Sequence, residues 1–401
     1  MRNMRRELVL ILLFVFIDVL GFSLILPLLP FYAETFAATP TTVGLLLGAN
    51  ALTQLIGAPI IGRLSDRYGR RPLLILSIAG TLVGFIMLGL ANSLAMLFAS
   101  RILDGFLGGN VSLAQAYISD VTDSKERARG LGLIGAAFGL GFIIGPALGG
   151  TLARNGNYAL PALVASAFSF LNLLGVLLWL PESLPPEEQA RRAAEPRAAF
   201  TARALWEALQ LPCVGPLLQS QLVFALAFTT FETIFSLFAQ QRLALNAQRT
   251  GYVLTYVGVL VVLVQGVGIR FLVRRFNDKQ LVFGGAILGL FSLLAWALTP
   301  SLAVLLVVLA PLALASGVLR VSISSALTKS VWPEEVGGVL GLSASLGSLA
   351  RVVSPTVGGF LLSQVGTAAP GILGALLMGW LIYYTRKRVL FVPDLQCPAP
   401  R

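Results

Sequence analysis

The chain is 401 residues long, 56% hydrophobic and only 12% charged, with a mean hydropathy of +0.84. Soluble domains carry about a quarter charged residues, so this composition excludes a soluble globular protein and points to a chain that crosses a bilayer many times. The net charge of +11 would suit a nucleic-acid binder, but nearly all Lys and Arg fall in loops of one side, which is the asymmetry of membrane topology instead.

At about 20 apolar residues per span, the sequence predicts an all-α polytopic membrane protein with twelve helices. They fall at 8–31, 42–64, 73–91, 94–119, 130–152, 159–180, 214–240, 249–273, 281–299, 302–329, 336–362 and 368–388. The basic loops put both termini in the cytoplasm, with Arg154, Arg242 and Arg249 on the far side. Arg2, Arg5 and Arg6 imitate the start of a signal peptide. The apolar run behind them continues past Asp18 to Phe31 without a small-residue cleavage site, so it reads as the first span.

Spans two and three are joined by Gly62-Arg-Leu-Ser-Asp66-Arg67-Tyr-Gly69-Arg70-Arg71-Pro72. A connection this short and basic predicts a tight cytoplasmic hairpin. Gly69 suits a positive-φ turn and Pro72 the first turn of the next helix. Asp66, among four arginines, is placed to pair with them or to cap a helix N-terminus.

Span five reads Gly135, Gly139, Gly141, Gly145-Pro146, Gly149-Gly150. Small residues at this spacing allow close helix approach, and the proline predicts a kink. The polar stretch from Pro181 to Leu211 is a linker by composition. It divides the chain into a six-helix bundle at 1–180, the linker at 181–211, and a second six-helix bundle with a short cytoplasmic tail at 212–401.

The two halves are an internal repeat. Leu131-Gly132-Leu133, Leu140, Pro146 and Gly149-Gly150 recur at one constant offset as Leu340-Gly341-Leu342, Leu349, Pro355 and Gly358-Gly359. Leu64, Arg67, Tyr68 and Arg71 are echoed by Leu272, Arg275, Phe276 and Lys279, but Asp66 is replaced by Arg274 and Gly69 by Asn277. The latch is therefore expected in the first half. Duplicated membrane halves predict a substrate site where they meet, near mid-bilayer.

Ionisable groups at membrane depth are functional candidates by default. Asp18 lies about 15 Å into span one and has no partner at pairing distance on its own helix. Arg101 and Asp104 share a face of span four; they read either as a self-neutralising structural pair or as the lining of a pathway, because the face continues through small and polar residues to Gln115. Glu232 sits among Phe228, Phe231 and Phe235 of span seven, which suits a lipophilic cation through cation–π and carboxylate contacts. Alternatively it pairs with Arg320 or Arg351. Arg351 reads as a counter-ion or as the receptor of an anionic group. With no histidine in the chain, any proton chemistry falls to carboxylates. Cys213 and Cys397 face a reducing compartment, so neither a disulfide nor a metal site is expected.

These motifs resemble the major facilitator superfamily, and within it the twelve-span drug/proton antiporters, most nearly their tetracycline/proton branch. The resemblance rests on Asp18 with Gly21 and Pro27–Pro30, the loop at 62–72, Arg101-Ile-Leu-Asp104-Gly105, Asp120 through Arg127, and the span-five glycines. It covers about residues 8–180, the second half being looser. It implies coupling through Asp18 and proton transfer assisted by Arg101. Read from the residues themselves, Asp104 and Glu232 are further coupling candidates. Asp18, Gln115, Phe231, Glu232, Phe235, Arg320 and Arg351 are the candidate cavity lining, with Arg320 matching no pattern of the resemblance. The resemblance further implies a conformational latch of Gly62, Asp66, Arg67, Gly69, Arg70, Arg71, Asp120 and Arg127. The expected activity is proton-driven export of hydrophobic, drug-like compounds, cationic or zwitterionic, with no cofactor beyond the proton gradient and no enzyme chemistry. The chain is expected to be monomeric in the inner membrane, with a small molecule, protons and lipid as partners and no nucleic acid. The competing readings are transport of an endogenous metabolite or lipid-like molecule, an anionic one included, and a non-transporting membrane receptor.

Overall fold

The computed structural model describes residues 2–194, 202–332 and 335–390. Among them every regular element is helical: α1 (Arg2–Ile25), α2 (Leu29–Glu34), α3 (Pro40–Tyr68), α4 (Arg70–Gly89), α5 (Leu94–Leu107), α6 (Asn110–Val121), α7 (Ser124–Leu152), α8 (Ala159–Trp179), α9 (Pro186–Ala194), α10 (Ala202–Gln210), α11 (Gly215–Leu243), α12 (Ala247–Leu263), α13 (Ile269–Val273), α14 (Asp278–Ala297), α15 (Leu302–Lys329), α16 (Val336–Gln364) and α17 (Ala369–Thr385). Ten candidate spans among the described residues are long and apolar enough to cross a membrane. The fourth expected span is present but broken into α5 and α6, and the twelfth is the 17-residue α17, continued by a π-helical turn at Arg386–Leu390.

The first span stops at Ile25 rather than Phe31. Pro27 disfavours helical geometry at Leu26, and the chain restarts as α2 with Pro30 in its first turn. Cys213 is disulfide-bonded, which corrects the expectation of two free thiols; Cys397 lies outside the described residues.

Two compact units emerge. The first comprises Met1–Thr39, Ala49–Arg197 and Leu245–Gly258, the second Pro40–Gly48, Ala198–Ala244 and Val259–Arg401. Inside the first, α1 packs on α7 and α8, and α4 packs on α8 and α5. Inside the second, α11 packs on α16 and α17, and α14 packs on α17 and α15. The same set of neighbours recurs, so the duplication legible in the motifs is carried into the packing.

Glycines set how closely these helices approach. A Cβ on Gly141, Gly145 or Gly149 of α7 would meet Val19, Ser23 or Leu24 of α1. The Ser23 hydroxyl donates across this seam to the Gly141 carbonyl at 2.8 Å. Gly135 has open space where a Cβ would stand, so only the later turns of the glycine helix are built for contact.

Candidate functional site

In the first unit the break in span four creates the site. Gly108 leaves helical geometry, and the Ser77 hydroxyl of α4 stitches the gap: it donates to the Leu107 carbonyl and accepts the Gly109 N–H at 3.0 Å. Freed backbone groups in a membrane need such partners. The break makes Asn110 the first residue of α6, where its Nδ2 donates to Asp18 Oδ1 at 2.6 Å and to Thr81 Oγ1 at 3.3 Å. Asp18 thus has a neutral partner and no ion pair among the described residues. The Asn110 Oδ1 is buried without a hydrogen bond, as is that of Asn172, and both residues line a small apolar pocket with Asp18.

Arg101 and Asp104 form the pair their spacing predicts, Nη1 to Oδ2 at 3.2 Å, with both side chains under 10% exposed. Asn50 of α3 reinforces it, donating to the Arg101 carbonyl at 2.9 Å and to Asp104 Oδ2 at 3.3 Å. The guanidinium lies over the buried Phe85 ring, 5.4 Å from its centroid. Gly105 lets α3 come this close, since a Cβ there would strike Thr53 and the Asn50 carbonyl. Asp104 is therefore neutralised by a fixed cation, whereas Asp18 is not. Gln115 stands exposed on α6, away from these contacts.

The basic hairpin folds into a buried charge cluster. Arg70 pairs with Asp66 at 2.7 Å and with Asp120, at the end of α6, at 2.9 Å. Gly69 has φ +100°, and a Cβ there would meet the Glu182 carboxylate. Glu182 caps α4, accepting the Arg70 N–H at 2.8 Å and the Arg71 N–H at 3.0 Å, a favourable place for an anion. Of the other expected latch residues, Arg71 donates to the Leu177 carbonyl at 2.7 Å. Arg127 binds the Ser119 carbonyl at 3.0 Å rather than a carboxylate. Arg67 is exposed, stacked 5.4 Å from the neighbouring Tyr68 ring, and Gly62 has open space around it. The buried cluster thus comprises Asp66, Gly69, Arg70 and Asp120, joined by Glu182 and Arg192, which the sequence alone did not single out. Asp66→Ala should leave Arg70 paired with Asp120, so the protein inserts and binds substrate while turnover falls. Loss of binding in correctly inserted protein would refute this.

Linker helix α9 is docked on that cluster. Arg192 reaches Asp120 at 3.2 Å and Asp66 at 3.7 Å, and within α9 it binds Glu188 at 3.0 Å. Burial works against the Arg192 charge, but Glu188 and Asp120 outweigh it and hold the group above its ordinary value. The Arg192 hydrogen bond, opposed by desolvation and aided by Arg191, holds the Glu188 carboxyl below its ordinary value. Such a group contributes stability above its unfolded pKa and loses it as pH falls through the lowered one. Amide exchange across Pro186–Ala194, corrected for its intrinsic rate, should therefore rise on acidification below the carboxylate range. Unchanged protection there would exclude an ionic α9 clasp.

In the second unit, Glu232 of α11 and Arg320 of α15 face each other at 3.7 Å, each side chain 57% exposed. Arg320 also lies 6.0 Å from the Phe224 ring centroid. Arg351 of α16 donates to Ser348 Oγ at 3.0 Å and interacts electrostatically with Glu232 and Arg320. Phe231 and Phe235, expected to line a cavity, are buried. Phe231 packs edge-on against Trp296 at 4.9 Å and against Phe235 at 5.5 Å. They are core residues, because α11 is covered on nearly every side.

The ion pair at the basic end also recurs with its charges exchanged. Asp278 opens α14, where Arg70 opens α4, and accepts Lys329 at the end of α15 at 2.7 Å. The replacement for Gly69, Asn277, caps α14 in a capping box with Gln280.

Comparison with known proteins gives the family. The chain matches the Major Facilitator Superfamily profile over residues 11–355. It is 30% identical to the class D tetracycline resistance protein of Salmonella ordonez, covering 94% of this chain and 96% of that one. It is 32% identical to the class C protein of Escherichia coli, covering 87% and 88%. Among solved structures, the human organic anion transporter MFSD10 (TETRAN) is 26% identical, with a TM-score of 0.69 over 95% of this chain and 99% of that one. This chain belongs to the major facilitator superfamily of multi-pass membrane transporters, and its likeness is to the tetracycline and multidrug resistance branch.

Proposed function

We propose that this protein is a proton-coupled antiporter that exports hydrophobic, drug-like compounds across the inner membrane by alternating access, with both termini cytoplasmic. The observation that carries the reading is Asp18: a carboxylate at membrane depth, held by the Asn110 amide at 2.6 Å and not neutralised by a cation among the described residues. A carboxylate accepts from Asn110 Nδ2; a carboxylic acid needs an acceptor, and the unpartnered Asn110 Oδ1 supplies one on a flip of the amide. Both protonation states can thus be satisfied without moving a helix. Asp104, tied to Arg101, gains no such freedom.

The relatives named for tetracycline resistance support a drug-like cargo, and the glycine-packed seam between α7 and α1 supports a close-packed pivot. Proton binding and substrate binding would then bias a two-state equilibrium in opposite directions. The test is purified protein in liposomes with an inside-acid gradient, challenged with cationic, zwitterionic and anionic hydrophobic compounds. Compound-triggered proton release is expected. Compound movement without proton release would replace antiport by uniport. A second reading, an anionic cargo, is favoured by Arg320 and Arg351, and by the organic anion transporter among the solved relatives.

A further inference from the structure

The second unit carries one feature that drug efflux alone does not use. From Cys213 to Gln240, Glu232 is the single exposed residue; from Val308 to Thr328, Arg320 is the single exposed residue. Along these two stretches every other residue is buried or half-buried, and the two exposed side chains meet at 3.7 Å. Arg351 joins them from α16, on a turn with Ala344 and Ser348. Two cations face one carboxylate, all three deep within their helices, and no other acid pairs with them among the described residues of this unit. An uncompensated cation at membrane depth is costly, so the face is one anion short.

We propose that the transported compound is an amphipathic organic anion, an aromatic carboxylate or sulfonate whose acidic group docks between Arg351 and Arg320. This rests on the transport reading above and names its substrate class. The features that would have recognised a cation are already engaged. Glu232 is paired with Arg320, the Phe224 ring lies beneath the same guanidinium, and Phe231 and Phe235 are turned into the core around Trp296. What remains open is guanidinium, whose planar donors fit a carboxylate or sulfonate in a forked pair. The Ser348 hydroxyl, accepting from Arg351 at 3.0 Å, sets its orientation.

The test compares two probes on the purified full-length protein that share a pyrenyl-alkyl body and differ in the sign of their head group, 4-(1-pyrenyl)butyrate and 4-(1-pyrenyl)butyl-trimethylammonium. The butyrate should bind about tenfold tighter or better. Arg351→Gln should weaken the butyrate at least about tenfold and leave the ammonium unchanged. Arg351→Lys, which keeps the charge but not the fork, should fall between, and Glu232→Gln, which frees Arg320, should strengthen the butyrate. Equal or tighter binding of the ammonium, equal loss of both probes in Arg351→Gln, or binding of neither would overturn the proposal. The two readings fail separately in liposomes. Butyrate binding without proton release removes antiport and keeps the anion class, while proton release triggered by the ammonium alone keeps antiport and removes the anion class.

Discussion

Asp18→Asn should abolish compound-driven proton release, lowering it on the order of 100-fold, the upper end of what a coupling free energy of about 3 kcal/mol supports. The substitution is nearly isosteric and conserves an oxygen that accepts from Asn110 Nδ2 at the position now 2.6 Å away. Packing around the first span should therefore survive, as should exchange of labelled for unlabelled compound across liposomes at equal pH. That split is informative because a merely structural acid would lose both activities together. Asp104→Asn should behave differently: it strands the Arg101 guanidinium, whose Nη2 already lacks a hydrogen bond, and should lower folded yield as well as turnover. Full proton release by Asp18→Asn would move the coupling role elsewhere.

How much of this was legible in the sequence depends on the kind of signal. Spans, duplication and the basic hairpin are properties of runs and repeats, and they survive in the structure. Arg101 with Asp104, three residues apart on a helix, was readable because helical spacing fixes same-helix neighbours. Asn110 and Asn50 were not, because their partners lie on other helices and an asparagine in an apolar run reads only as a polar interruption. The break at Gly108–Gly109 was hidden for a related reason: glycine is common in membrane helices, and only the Ser77 stitch from α4 shows that these two end one. The burial of Phe231 and Phe235 was not readable because α11 has no single apolar face from which to read its orientation. The linker looked solvated by composition, yet Glu182 and Arg192 dock on the hairpin through contacts that composition does not carry.

Arg70→Ala should be the most destabilising single change at the basic end. Its guanidinium serves two acids, Asp66 at 2.7 Å and Asp120 at 2.9 Å, and the three side chains are 6%, 8% and 7% exposed. Removing one partner of a buried ion pair costs about 3–5 kcal/mol because the other charge is left buried without compensation. Here two carboxylates are left facing each other, and the partly exposed Arg192 compensates them only in part. The exchanged pair in the second unit supplies the control. Lys329 is 70% exposed, so Lys329→Ala should cost no more than about 1 kcal/mol, although its ion pair is equally short. Thermal unfolding in detergent would separate the two: a large drop for Arg70→Ala beside a marginal one for Lys329→Ala. Arg70→Lys should recover only part of the loss, since a single ammonium cannot reproduce the fork that spans Asp66, Asp120 and Ser65. Equal losses for Arg70→Ala and Lys329→Ala would mean that burial does not set the strength of this cluster. The hairpin would then have to work through its turn geometry at Gly69 alone.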